Sequence, residues 1–107
     1  VTYDFPEAIL GDTFDGIKFT MSLNGSPLDL TSASVIMTLM VGCDSIVYST
    51  ENGCLTIIDP PTLGIFEFNR QLILINAYGV FNYEITFYLS NGDIKTYLNG
   101  TWKIVRA

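Results

Sequence analysis

Hydrophobic and polar residues alternate with period two along most of this chain, and the alternation is clearest between Val80 and Val105. Phe81, Tyr83, Ile85, Phe87 and Leu89 alternate with Val80, Asn82, Glu84, Thr86 and Tyr88, as a strand covered on one face requires. Ser90-Asn91-Gly92-Asp93 follows, and Asn-Gly is the strongest short-range signal for a two-residue hairpin turn. Laying the strands back from that turn sets Leu89 against Ile94, Phe87 against Thr96, Ile85 against Leu98, Tyr83 against Gly100 and Phe81 against Trp102, all on the covered face. Tyr88/Lys95, Thr86/Tyr97, Glu84/Asn99, Asn82/Thr101 and Val80/Lys103 then share the outer face. A slip of one residue would turn the aromatic row toward water, so the hydrophobic pattern holds the register. Gly100 leaves room for the Tyr83 ring to lie across bare backbone.

The same period recurs upstream. Ile17, Phe19, Met21 and Leu23 alternate with Lys18, Thr20, Ser22 and Asn24, predicting a half-buried strand that ends at Asn24-Gly25. In the preceding extended segment, Tyr3 to Leu10, Pro6 excludes a central sheet position and predicts an edge. Gly11 to Phe14 reads as a turn or short strand. Leu28 and Leu30 sit in a connector and are expected to plug one end of the core. Ser34 to Val41 is apolar on both faces, with Val35, Met37, Leu39 and Val41 in one row and Ile36 and Met40 in the other. The second row needs either an intramolecular loop over it or a partner. Ile46 to Thr50 and Leu55 to Ile58 read as strands of a hairpin around Glu51-Asn52-Gly53, and Asp59-Pro60-Pro61-Thr62 as a loop. Ile65 to Phe68 alternates again. Leu72 to Ile75 fits a strand bend at the sheet edge better than a helical turn. These short strands, about seven to nine with a turn every 8–12 residues, predict a two-sheet β-sandwich, and 107 residues predict one domain over 1–107.

Composition changes that picture in one respect. Charged residues make up 15% of the chain, against about 25% in an ordinary soluble domain, while 49% are hydrophobic. The predicted core faces do not use all of these apolar residues, so part of the outer surface is expected to be covered by other subunits. No apolar run approaches the roughly 18 residues of a membrane span. Net charge is −6, with five scattered basic residues, which argues against a nucleic-acid surface and against docking on anionic lipid. The first residues lack a basic region followed by an apolar stretch, so no secretory leader is expected in them.

Candidate chemistry is sparse. There is no histidine, which removes Ser-His and Cys-His catalysis and the commonest transition-metal ligand. Cys43 and Cys54, 11 positions apart, fall short of a structural zinc set; a bridge across the hairpin base stays open, and free, buried or half-buried thiols are the expected reading. Asp12 and Asp15 are read as turn formers rather than calcium ligands. No catalytic residue, cofactor or metal site is expected, and the chain is read as not an enzyme. The candidate interface residues are Ile36 and Met40 on the two-sided strand, with Tyr88 and Tyr97 as an outward aromatic pair.

The order of landmarks resembles the N-terminal immunoglobulin-like domain of phage baseplate upper proteins and related tail-fibre proteins. The resemblance rests on Gly11-Asp12-Thr13-Phe14, on Asn24 to Val35 leading into the apolar strand, and on Leu63-Gly64-Ile65-Phe66-Glu67. It continues through Tyr78 to Ile85 and Asn91 to Gly100. It implies an all-β, immunoglobulin-like antiparallel sandwich with its C-terminal hairpin at 80–105. The implied role is a non-enzymatic structural domain of the virion, assembled in the host cytoplasm, that attaches receptor-binding parts to the tail. Partners would be other tail or baseplate proteins or further copies of the chain, as a homo-oligomer. A different class of reading is a carbohydrate-binding or adhesin-type module at a bacterial surface, using Tyr88 and Tyr97.

Overall fold

The computed structural model describes residues 2–73 and 78–106. Its strands are β1 (Phe5–Ile9), β2 (Thr13–Phe14), β3 (Ile17–Thr20), β4 (Ser22–Leu23), β5 (Ser26–Pro27), β6 (Ser34–Val41) and β7 (Asp44–Ser49). After these come β8 (Leu55–Ile57), a 3-10 turn at Pro61–Leu63, β9 (Ile65–Phe68), β10 (Gln71–Leu72), β11 (Gly79–Tyr88) and β12 (Ile94–Val105). One sheet has the order β1-β12-β11-β6-β7, a second has β3-β9-β8, and the pairs β10-β2 and β4-β5 form small ribbons. The architecture is all-β and sandwich-like, as the alternation predicts. The short ribbons raise the strand count above the expected number.

The two sheets meet through aromatic residues placed by period two. Phe66 and Phe68 project from β9 while Glu67 between them faces away, and both rings are fully buried. Phe66 meets Phe87 edge-on at 5.5 Å, and Phe68 meets Trp102 edge-on at 5.5 Å. Rings in this orientation gain about 0.5–1.5 kcal/mol beyond their area burial. Val35, Met37 and Leu39 fill the same layer from β6, and Leu28 and Leu30 close one end.

Pro6 lies on an edge strand, as its missing N–H requires. Its carbonyl accepts a hydrogen bond from the Trp102 indole N–H at 3.0 Å. The β1–β12 pairing is parallel, whereas every other strand pairing is antiparallel among the described residues.

Three local expectations change. First, Ile46 to Thr50 does not form a hairpin with Leu55 to Ile58. β7 turns back at Gly42-Cys43 onto β6, and β8 joins the opposite sheet. The Asn52 side chain organises that crossing. Its Oδ1 accepts from the Ser49 and Cys54 amides at 3.0 and 3.1 Å, and its Nδ2 donates to the Val47 carbonyl at 3.0 Å. Second, both cysteines are free, but Cys43 is exposed at the β6–β7 turn rather than buried or half-buried.

Third, the final hairpin opens with three loop residues instead of two. The Leu89 amide donates to Asp93 at 2.9 Å, the Gly92 amide donates to Leu89 at 3.0 Å, and Gly92 has φ +92°. This is a turn followed by a left-handed glycine, which Asn-Gly also favours. The pairs nearest the turn are therefore Tyr88/Ile94, Phe87/Lys95 and Thr86/Thr96, one residue off the expected register. A β-bulge at Tyr97 absorbs the difference, and Ile85/Leu98 through Val80/Lys103 pair as expected. Of the Leu72 to Ile75 segment, Leu72 belongs to β10 and Ile73 is buried. Leu74 and Ile75 lie outside the described residues.

Candidate interaction face

The inner face of the five-stranded sheet is spent on the core, so the outer face is what the sheet offers to anything else. Four strands build it. Pairing sets Ile36, Thr38 and Met40 of β6 beside Ser49, Val47 and Ser45 of β7 on one side and Thr86, Glu84 and Asn82 of β11 on the other. Thr96, Asn99 and Thr101 of β12 extend the same rows. The Thr86 and Thr96 hydroxyls are hydrogen-bonded to each other at 2.9 Å across the face.

This face carries much exposed apolar surface. Met40 is 39% exposed, Tyr88 42% and Ile94 62%, with Val47 and Val80 exposed as well. Ile36 is half-buried. The loop that could have covered Ile36 and Met40 from within the chain is not found among the described residues. Charge is sparse: the outward rows of β6, β7, β11 and β12 hold one acid, Glu84, and one base, Lys103, in a chain of net charge −6.

The structure groups Ile36, Met40 and Tyr88 on this face and removes Tyr97 from it. The bulge rotates Tyr97 to the opposite side, where it is half-buried against the core with its ring 5.7 Å from that of Phe87. Ile94 moves the other way, from the expected covered face to the exposed one. The outward Tyr88/Tyr97 pair therefore does not form. One extra loop residue displaces every side chain between the turn and the bulge to the other face.

An open groove of about 450 Å³ adjoins the outer face where the N-terminal segment crosses β12, between Asp4, Met40, Glu84 and Asn99. Asp4 Oδ1 accepts from both the amide and the hydroxyl of Thr101, each at 3.0 Å. The Tyr3 amide donates to the Asn99 carbonyl at 2.8 Å, and the Tyr83 hydroxyl donates to the Tyr3 carbonyl. A Cβ at Gly100 would lie 2.0 Å from that carbonyl oxygen. The space at Gly100 is thus filled by Tyr3 backbone, on which the Tyr83 hydroxyl also closes. Sequence reasoning found the glycine and its pairing with Tyr83, which is observed, but not the approach of Tyr3. The only signal for the latch was a polar Asp-containing segment far away in the chain.

Burial shapes the two inner phenols. Tyr48 is pushed up to about 12, first by desolvation and then by the nearby Cys54 thiol. Tyr83 is pushed up as well, by desolvation and then by Asp4. Among the described residues no group of three or more His, Cys, Asp or Glu side chains is placed to hold a metal ion, and no helix is long and apolar enough to cross a membrane. No family model, curated protein or solved structure matches the chain at a significant level.

Proposed function

We propose that this chain is a non-enzymatic structural domain of a phage tail or baseplate that works through protein–protein contacts on the outer face of its five-stranded sheet. The phage assignment rests on the resemblance in turn and core segments described above. The observation that carries the assembly role is a sheet face with exposed apolar side chains, whose outward strand rows hold one charge of each sign and whose margin adds only Asp4, in a chain of net charge −6. Charge depletion with apolar and aromatic enrichment is the compositional mark of an interface centre.

Size sets the expected strength. Four strands at about 4.8 Å spacing and eight residues at about 3.3 Å give a flat footprint of roughly 500 Å². That is below the ~800 Å² per partner of a standard stable interface. One contact is therefore weak, and repeated copies in a virion supply the missing affinity by multivalency. The partners are other tail or baseplate proteins or further copies of this chain.

Light scattering over a wide dilution series, alone and mixed with products of the neighbouring genes, tests the reading. Association that rises with concentration and disappears in Ile36→Asp and Met40→Asp supports it. A chain that stays monomeric throughout and binds none of those products overturns it.

A further inference from the structure

The bulge at Tyr97 has a second effect besides restoring the register. It directs the tyrosine into a cleft between the β4–β5 ribbon and the tip of the β11–β12 hairpin. The cleft holds about 350 Å³ between Leu23, Leu28, Asp29, Leu89, Asp93 and Tyr97, and a smaller space of about 170 Å³ adjoins it along Met21 and Thr96. Bulges recur beside functional sites because they re-aim one side chain without disturbing the rest of the sheet. Here β12 beyond the bulge keeps its expected register, and Ile94 to Tyr97, between the turn and the bulge, take the faces opposite to those alternation assigns, with Tyr97 turned inward.

The lining has two chemistries. Tyr97, Leu23, Leu28 and Leu89 make an apolar wall, and Phe87 backs the tyrosine ring. The rim is made of hydrogen-bonding groups held in place by local bonds. Asp29 Oδ1 accepts from the Thr31 amide at 2.9 Å and from its hydroxyl at 2.6 Å, which orients the carboxylate. Asn91 Oδ1 accepts from the Asp93 amide at 3.0 Å, which orients the hairpin tip. No basic residue lines either space, so an anionic ligand would meet two carboxylates and no counter-charge. A neutral ring with one apolar face and several hydroxyl donors fits both the wall and the rim. The volume is near the lower end for ligand sites, which suits a single ring rather than an extended chain.

We propose that this cleft binds a neutral pyranose sugar, with Tyr97 as the stacking platform and Asp29 and Asp93 as acceptors of sugar hydroxyls. The site is separate from the outer sheet face and does not depend on the assembly role. It needs only one of the two tyrosines that the sequence pattern pairs.

The test is a titration of the full ¹⁵N-labelled chain with three probes: methyl α-glucopyranoside, methyl β-galactopyranoside and methyl N-acetyl-β-glucosaminide. Saturable amide shifts confined to residues 21–29 and 89–97, with at least one probe, support the site. Tyr97→Phe keeps that binding, whereas Tyr97→Ala and Asp93→Asn each weaken it by about tenfold, which corresponds to about 1.4 kcal/mol. If Tyr97→Ala loses the dispersed spectrum of a folded chain, Asp93→Asn and the wild-type shift map decide. Absence of saturable shifts with all three probes overturns the proposal. So do shifts centred on Tyr88 and Met40, or an Asp93→Asn variant that binds as the wild type does.

Discussion

Gly100→Ala adds one methyl group to the middle of β12, and general rules say this should help. Alanine loses less backbone entropy than glycine on folding, so an unobstructed strand position gains about 0.5–1 kcal/mol. Gly100 is not unobstructed. Its Cβ would stand 2.0 Å from the Tyr3 oxygen, 2.7 Å from the Tyr3 carbonyl carbon and 3.1 Å from Asp4 Oδ1. The first two atoms are backbone and cannot rotate away, so the N-terminal segment must lift from β12. Lifting it takes the acceptor from the hydroxyl of Tyr83, a residue 1% exposed. A buried hydroxyl without a partner costs about 1–3 kcal/mol, and the Thr101–Asp4 bonds loosen with it. Set against the entropic gain, the net expectation is a loss of about 2 kcal/mol. Urea unfolding followed by the buried Trp102 should show a midpoint lower by roughly 1 M, with the slope unchanged. Tyr83→Phe separates the two contributions. In that background there is no hydroxyl to orphan, so Gly100→Ala should cost about 1 kcal/mol less than in the wild type. Gly100→Ala at or above wild-type stability would refute the latch. An equal cost in both backgrounds would refute its coupling to Tyr83.

Two further outcomes follow from other parts of the sheet. Asn52→Ala removes the acceptor of two amides and the donor to Val47, and should cost about 2 kcal/mol with faster hydrogen exchange at Ser49 and Cys54. Asn52→Asp should recover little, because its carboxylate faces the Val47 carbonyl; wild-type stability in that variant would show the donated bond to be irrelevant. Tyr48 ionises near 10 when unfolded and about 12 when folded, so the folded state holds its proton more tightly. Its contribution is complete below about pH 10 and is lost as pH rises toward about 12. Tyr48→Phe should flatten the alkaline fall in urea midpoint, and an unchanged fall would refute the assignment.

The sequence by itself determined what depends on neighbours a few residues apart. Period two in Phe81 to Phe87 and in Val35 to Leu39 selects the buried face of each strand, because adjacent side chains point to opposite sides. The lack of an N–H at Pro6 selects an edge, and Asn24-Gly25 and Asn91-Gly92 mark turns through residues that accept positive φ. Ile36 and Met40 were legible as an outer row for the same reason.

Tertiary structure decided what depends on segments far apart. β7 prefers β6 to β8, and sequence distance does not distinguish the two partners. Asn-Gly suits both a two-residue turn and a three-residue loop with a left-handed glycine, so the turn alone leaves one residue of register open. Packing closed that choice, because Tyr83, Ile85, Leu98 and Trp102 must all stay in the core. The surplus residue became a bulge, and the bulge moved Tyr97 from the outer face to the cleft. Local alternation reaches only as far as unbroken pairing, and where one residue is added the face of a side chain is settled by what the whole core can accommodate.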